Sequence, residues 1–383
     1  MKKRALMYAS VASMIQQFNM ANIRLLLESG YEVDVVCNLE QGSTITPEKI
    51  AAMRSELEGM GVRVIHVPIP RKISAIGEII TSFRMSRQII AQGEYSLIHC
   101  HSPIGSVLCR LANRFSGRYG KAKMIYTAHG FHFFKGAPLL NWLIFYPMEW
   151  FCSWFTDVLI TINHEDHDLA SRQFRARQVA YVPGIGVDLE KYRTDSSGWA
   201  EKLAELGLCG ADTILVSVGE LSVRKNHEVV LRALAREQDP HYQYLICGLG
   251  PLKEQLEQLV EELGIRDRVH FLGYRNDIAQ ILNIANIYVF PSLQEGLPVA
   301  LMEAMAAGKA VACSRIRGNT DLIEEQGGTL FDPRSVDDCA DAIGRMLNAD
   351  YEQMGRFNTQ KILGFSRETV GRQMADLYRP DPK

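Results

Sequence analysis

Apolar positions along this chain recur in two rhythms that alternate almost from end to end. Short, near-continuous apolar runs rich in β-branched residues come at 5–10 (ALMYAS), 32–38 (EVDVVCN), 62–68 (VRVIHVP), 96–101 (SLIHCH), 123–129 (KMIYTAH), 157–163 (DVLITIN) and 178–183 (QVAYVP). Between them lie helix-length segments whose apolar residues return every three or four positions, such as 76–92 (IGEIITSFRMSRQIIAQ). A strand covered on both faces loses the polar alternation of a half-exposed one, and strands separated by helices pair in parallel. The pattern therefore predicts an α/β domain with a parallel sheet and helices on both sides. The rhythm pauses at 183–198 (PGIGVDLEKYRTDSSG), so a linker is expected near 184–200. It resumes with TILVSVG (213–219), YQYLICG (242–248), VHFLG (269–273), IYVFPS (287–292), AVACS (310–314) and GTLFD (328–332). A second doubly wound, Rossmann-like domain follows from these runs. The expected divisions are 1–185, 186–365 and a last helical segment, 366–383, that crosses back to the first domain. Two such domains leave a cleft at the carboxyl ends of their sheets, where open α/β sheets bind ligands.

One segment departs from the pattern. PLLNWLIFYPMEWFCSWF (138–155) holds Trp142, Trp150 and Trp154, with Glu149 as its single charge. A bilayer span takes about 20 mainly apolar residues. This run is interrupted by Asn141, Pro147 and Glu149 and lies between two strands of a sheet, so it predicts a helix that does not cross a membrane. Trp142, Tyr146, Trp150 and Trp154 are four apart and share a stripe, widened by Leu143, Phe151 and Phe155. One face must cover the sheet, which accounts for at least half of the apolar surface. The neighbouring segment 109–123 carries Arg110, Arg114, Arg118, Lys121 and Lys123, and aromatics beside cations suit an interfacial helix on anionic lipid.

Composition narrows the function classes. At 383 residues, 47% hydrophobic and 22% charged, the chain has the length and balance of two ordinary globular domains. A net charge of −2 points to no nucleic-acid partner. The charge is unevenly spread: residues 1–185 hold 20 Lys and Arg against 14 Asp and Glu, leaving 22 against 30 for the rest. A basic first half suits phosphates or an anionic membrane. The eight cysteines form no CxxC pair, which fits buried thiols in a reducing, cytoplasmic setting. The start, MKKRALMYAS, reads as a first strand rather than a leader.

Candidate chemistry concentrates at strand ends. In FPSLQEGLPVALMEAMAAG (290–308), Glu295 and Glu303 are eight apart, and the Gly296-Leu297-Pro298 turn opens a helix expected to start near Pro298. The free N–H groups of that helix end can hold a phosphate or a sugar edge, and Glu303, two turns in on about the same face, can accept two hydroxyl hydrogen bonds from a ribose. In VSVGELSVRKNHE (216–228) a strand ends at Gly219, and Arg224 and Lys225 precede a helix begun by Asn226, an expected N-cap. Two cations there can hold a diphosphate. In TAHGFHFFKG (127–136), His129 ends a strand beside Gly130, with His132 and Lys135 following, and SLIHCHSP (96–103) places His99 and His101 on one face of another strand end. No HxxxH or carboxylate partner accompanies these histidines, so no metal is expected. YASVASMIQQF (8–18) lacks GxGxxG, which argues against a dinucleotide oxidoreductase.

The segments SLQEGLPVALMEAMAAGKAVACS, VGELSVRKNHE and VPGIGVDLEKY resemble the family 4 glycosyltransferases, most closely from about 180 to 335. TAHGFHFFKGAP further resembles the branch that builds capsule, exopolysaccharide and lipid-linked oligosaccharide chains in bacteria. The resemblance implies the GT-B fold and a retaining, metal-independent transfer of sugar from a nucleoside diphosphate sugar, a UDP-sugar, with no cofactor. It implies that Glu295 contacts the donor sugar and Glu303 the ribose, and that the N–H groups of Gly296 and Leu297 approach sugar and phosphates. It also implies that Arg224 and Lys225, beside Gly219, neutralise the diphosphate, and that His129 lies between donor and acceptor. The acceptor implied is a glycan or a polyprenyl-diphosphate-linked sugar at the inner face of the membrane. ASVASMIQQF, including Ser13, and His101 are expected to frame the acceptor. Two departures stand out: Glu220 where many members have Arg, and Asn226 where many have Gly, which leaves Arg224 to supply the missing diphosphate cation. A nucleotide-sugar 2-epimerase shares this two-domain fold and is the alternative reading.

Overall fold

The computed structural model describes residues 3–193, 198–208, 210, 212–237 and 241–380. Each apolar run singled out above is a strand: β1 Lys3–Val11, β2 Tyr31–Asn38, β3 Arg63–His66, β4 Leu97–His101, β5 Lys123–Ala128, β6 Val158–Thr161, β7 Gln178–Tyr181, β8 Thr213–Val218, β9 Tyr242–Cys247, β10 Val269–Gly273, β11 Ile287–Phe290, β12 Ala310–Ser314 and β13 Gly328–Phe331. All described strand pairs are parallel. The sheet orders are β3-β2-β1-β4-β5-β6-β7 and β10-β9-β8-β11-β12-β13. The chain divides into two compact units, Met1–Ile185 with Val370–Lys383, and Gly186–Thr369. The α/β, doubly wound GT-B architecture expected from the sequence is the one observed.

Burial explains why these runs have no polar alternation. Along β1, Ala5, Met7 and Ala9 enter one hydrophobic cluster while Leu6 and Tyr8 enter another, on the opposite side of the sheet. Successive side chains of a strand point to opposite faces, so a sheet covered twice demands apolar residues at every position. Each large apolar side chain removed from water in this way contributes about 1.5–3 kcal/mol. The last helix, Arg367–Tyr378, buries Val370, Met374 and Tyr378, spaced one turn apart, in the first unit's core. Seven cysteines are free and buried, and Cys209 lies outside the described residues.

The tryptophan-rich segment forms the helix Leu139–Ser153 with Pro147 inside it. The four-residue stripe does not hold together. Steps of four advance a helix by about 40° beyond a full turn, so the stripe winds off the sheet. Trp142, Phe145 and Tyr146 pack against the core, whereas Trp150 and Trp154 face outward. The outward face is apolar throughout: Leu143 is 73% exposed, Phe151 51% and Trp154 55%. Glu149 and Arg110 also differ from expectation. Their side chains are 4% and 1% exposed and form an ion pair at 2.7 Å. Arg110 Nε donates to Ser106 O at 3.1 Å, and Tyr126 Oη donates to Glu149 Oε1 at 2.9 Å. Arg110 is therefore an internal strut between helices and not part of a basic surface. Arg114 remains on that surface, its guanidinium 4.9 Å from the Tyr119 ring centroid and 5.9 Å from that of Phe155. Among the described residues no helix is long and apolar enough to cross a membrane.

Candidate functional site

In an open parallel sheet, the loops leaving two adjacent strands diverge where the strand order reverses, and a crevice opens between them. In the second unit this point lies between β8 and β11. The loop after β8 runs through Gly219 to a short 3-10 turn, Val223–Lys225, and the loop after β11 carries Ser292 to Pro298. The two loops are tied together by Leu293 N–H donating to Arg224 O at 2.8 Å. Arg224 Nη1 and Lys225 Nζ then converge on one oxygen, Glu295 Oε1, each at 2.8 Å. Lys225 Nζ also sits 4.6 Å from the Phe290 ring centroid. Burial pulls the Lys225 pKa down, opposed by Glu295. Two cations on one carboxylate leave a net positive charge, and the buried hydroxyls of Ser222 and Ser292 meet no hydrogen-bond partner. The cluster is equipped to accept an anion with polar edges.

Three local expectations are corrected. Asn226 occupies the N-cap position of helix His227–Leu234 but lies in the left-handed region at φ 56° and makes no cap. Its side-chain amide instead donates to Pro291 O and Pro333 O, stitching three loops. The helix after β11 is Val299–Ala306, starting close to where it was expected, with Pro298 as its N-cap residue, extended at ψ 115°. Glu303 is thus just over one turn in, and Glu295 lies before the helix, so the two carboxylates do not share a helical face. Tyr192 explains how Glu303 is held: its hydroxyl is hydrogen-bonded to Glu303, whose pKa burial raises while that bond lowers it.

Two residues that sequence reasoning missed also shape this loop. Arg317 Nε donates to Glu295 O at 3.3 Å. Gly318, at φ 82°, lies so close that a Cβ there would come within 2.3 Å of Gly296 O. The available signal was the position of Arg317-Gly318 just after strand β12. Gly219 N–H donates to Cys247 O at 2.9 Å, and Leu297 is buried.

In the first unit the strand order reverses between β1 and β4. A cavity of about 550 Å³ opens at their carboxyl ends, lined by Ser10, Ser102 and His129 among others. His129 follows β5, and its Nε2 lies 3.0 Å from His101 Nδ1. The His101 ring packs on His99 at 4.1 Å. His99 in turn bonds Thr127 Oγ1 and Tyr378 Oη, both at 2.8 Å. Burial lowers all three imidazoles, His99 to about 3, His129 to about 4 and His101 well below its ordinary value. They are neutral at physiological pH; His101 and His129 share one proton across their hydrogen bond, whereas His99 only stacks on His101. Tyr378 was beyond sequence reasoning, being 279 residues from His99.

Ser13 does not line this cavity. It is buried in helix Ala12–Phe18, and its Oγ accepts from Thr44 N–H at 3.4 Å. His132 packs its ring on Phe145 at 4.7 Å, and the Lys135 N–H donates to Glu165 Oε1 at 2.8 Å. Among the described residues no group of three or more His, Cys, Asp or Glu side chains is placed to hold a metal ion.

Comparison with known proteins covers both halves of the chain. The family profile described as Glycosyl transferases group 1 matches residues 200–361, and that described as Glycosyl transferase 4-like domain matches residues 15–184. EpsD of Bacillus subtilis (strain 168), a glycosyltransferase by name alone, is 32% identical over 389 residues, covering 99% of this chain and 97% of its own. The Escherichia coli UDP-Gal:alpha-D-GlcNAc-diphosphoundecaprenol alpha-1,3-galactosyltransferase is 26% identical, with 87% and 84% covered. Among solved structures, Anabaena Alr3699/HepE in complex with UDP superposes with a TM-score of 0.74 at 19% identity, covering 98% of this chain and 99% of that one. Sucrose-phosphate synthase from Thermosynechococcus elongatus gives 0.75 at 21% identity, with 99% and 98% covered.

Proposed function

This chain belongs to the group 1, family 4-like glycosyltransferases, and on that premise we propose that it transfers a hexosyl or N-acetylhexosaminyl residue from a UDP-sugar, with retention, to a lipid-linked glycan acceptor. The observation that carries the proposal is the convergence of Arg224 and Lys225 on Glu295 Oε1 at the β8/β11 switch point. A nucleoside diphosphate entering there exchanges one carboxylate for four phosphate oxygens. As the anomeric C–O bond breaks, its electron pair passes to the β-phosphate, and the charge that grows there faces two cations already in place. Glu295, released from the cations, turns to the hydroxyls of the donor sugar. Glu303, now held by Tyr192, takes the ribose diol. The acceptor hydroxyl forms the new bond on the face that the diphosphate leaves, and its proton passes to the departing phosphate oxygen. These cations supply the charge that a divalent metal supplies elsewhere, so transfer continues in EDTA.

The acceptor side of this reading assigns His129 to the space between donor and acceptor, with His101 fixing its tautomer. The relative from Escherichia coli, whose name gives a diphosphoundecaprenol-linked acceptor, supports a lipid-linked class. So does the outward apolar face of helix Leu139–Ser153, with Arg114 near its end at Phe155, which suits docking on an anionic membrane surface. The test is acceptor-dependent release of UDP across a panel of UDP-hexoses and UDP-N-acetylhexosamines, with undecaprenyl-diphosphate-linked N-acetylglucosamine as acceptor and EDTA present. Release that requires both donor and acceptor is expected. Release without acceptor, accompanied by a new epimer of the donor, would instead make the chain a 2-epimerase.

A further inference from the structure

We propose that the cavity at the β1/β4 switch point binds the lipid end of the acceptor, with a diphosphate on Arg71 and Lys72 and the first apolar units of its chain against Ile73, Ile104 and Phe145. This rests on the reading of the chain as a transferase to a lipid-linked acceptor, and it names a site for the part of that acceptor which does not react. The cavity, about 550 Å³, is lined by two cations and two histidines and by no Asp or Glu. Among the described residues no carboxylate lies within ion-pair distance of Arg71 or Lys72, although the unit's other exposed cations include several that have one, such as Arg24 with Glu56 and Arg54 with Glu58. Arg71 Nη1 donates to Gly42 O at 3.0 Å, which anchors the side chain while leaving most of its N–H fork open. Unpaired cations with no acid beside them select an anion.

The same wall also selects an apolar group. Val11, Met14, Ile73, Ile104 and Phe145 line it, and exposed apolar residues adjoin two of these along the chain. On one side Ile73 leads to Ile76 and Ile80, all exposed. On the other, Phe145 belongs to helix Leu139–Ser153, whose outward face is apolar from Leu139 to Trp154. A ligand with an anionic head and a long apolar tail satisfies both features, since its tail can leave the cavity along either apolar rim toward a bilayer.

Ser102 adds an independent sign. It lines the cavity with φ at 70°, in the left-handed region that non-glycine residues avoid, and its hydroxyl is buried without a hydrogen-bond partner. It directly precedes helix Pro103–Phe115, whose positive end therefore meets the cavity, and strain of this kind collects at binding sites. His129 lines the same cavity, so a sugar carried on the bound diphosphate has the proposed reaction centre within the same pocket.

The experiment is calorimetric binding of farnesyl diphosphate, inorganic diphosphate and farnesol to the full chain and three variants. Farnesyl diphosphate is expected to bind at least about tenfold tighter than either fragment, since head and tail are both read. Arg71→Gln with Lys72→Gln is expected to weaken it by about tenfold or more. Ile73→Ser weakens it less, and Lys225→Ala, in the donor cluster, leaves it unchanged. UDP affinity in the Arg71→Gln/Lys72→Gln chain stays at the wild-type value, which reports that the chain is folded. Equal binding of farnesyl diphosphate by that variant, equal binding of inorganic diphosphate, or displacement by UDP would each overturn the assignment. Failure here with sugar transfer to a soluble glycan intact would leave the transferase reading standing. Binding here with no nucleotide sugar consumed would do the reverse.

Discussion

Lys225 is a mostly buried cation whose pKa burial lowers, and it keeps its charge through Glu295. Removing one preorganised donor to a developing oxyanion costs about two to three orders of magnitude in other enzymes. Arg224→Ala and Lys225→Ala are therefore each expected to lower kcat by at least about tenfold. Thermal unfolding of Arg224→Ala should stay within a few degrees of wild type, because Arg224 is half exposed; unchanged kcat in either variant would remove that residue from the diphosphate site. The imidazole array predicts a pH dependence of stability. Folded His99 and His129 titrate near 3 and 4, while the unfolded chain titrates near 6.5. Between those values the unfolded chain binds more protons, so stability falls as pH drops from 6.5 toward 4. Each pKa unit corresponds to about 1.4 kcal/mol per group. A thermal midpoint that declines over this window, and declines less in His99→Gln, is the expected record. At this scale the residue types were legible and their partners were not. Glu295, Arg224, Lys225 and His129 stand at strand ends where a linear motif exposes them. Tyr192, Arg317 and Tyr378 reach the same places through folding alone.

Elements were legible where burial alone sets the pattern. The strands follow from apolar runs because both faces of each sheet are covered. Helix ends were harder, since they depend on the loops they touch: Asn226 is drawn away from its cap by Pro291 and Pro333, and Pro298 stays extended. Helix Leu139–Ser153 illustrates both sides. Its apolar excess was readable, but the inward side also holds the Glu149–Arg110 pair, whose partners lie far apart in the sequence. Breaking a buried pair strands a charge, so Glu149→Ala is expected to cost about 3–5 kcal/mol in chemical denaturation. Arg110→Met with Glu149→Leu should recover most of that loss. The outward side carries a separate prediction. Phe151→Ser with Trp154→Ser should abolish flotation with anionic liposomes at little cost in stability, whereas Trp142→Ala, which packs on the core, should destabilise the unit instead. Equal flotation by the outward variant would return this face to a solvent-exposed role.

On the scale of the whole molecule, the chain returns at its end to the unit where it began. Val370, Met374 and Tyr378 fill the first unit's core, and Tyr378 holds His99 at the start of the histidine array. A chain ending at residue 369 is expected to unfold at a markedly lower temperature, since three large buried side chains at about 1.5–3 kcal/mol each are lost. Tyr378→Phe, which keeps the packing and removes one hydroxyl, should cost about 1 kcal/mol. The basic and acidic halves noted in the sequence coincide with the units assigned to the acceptor and to the donor. That division of labour stands or falls with the chemistry at Glu295 and the two cations. The most direct test is the anomeric configuration of the transferred sugar, read by proton NMR of the product formed from an α-linked UDP-sugar. The account predicts an α-glycosidic product, formed only when both substrates are present. A β-linked product would contradict a same-face reaction assisted by the departing diphosphate.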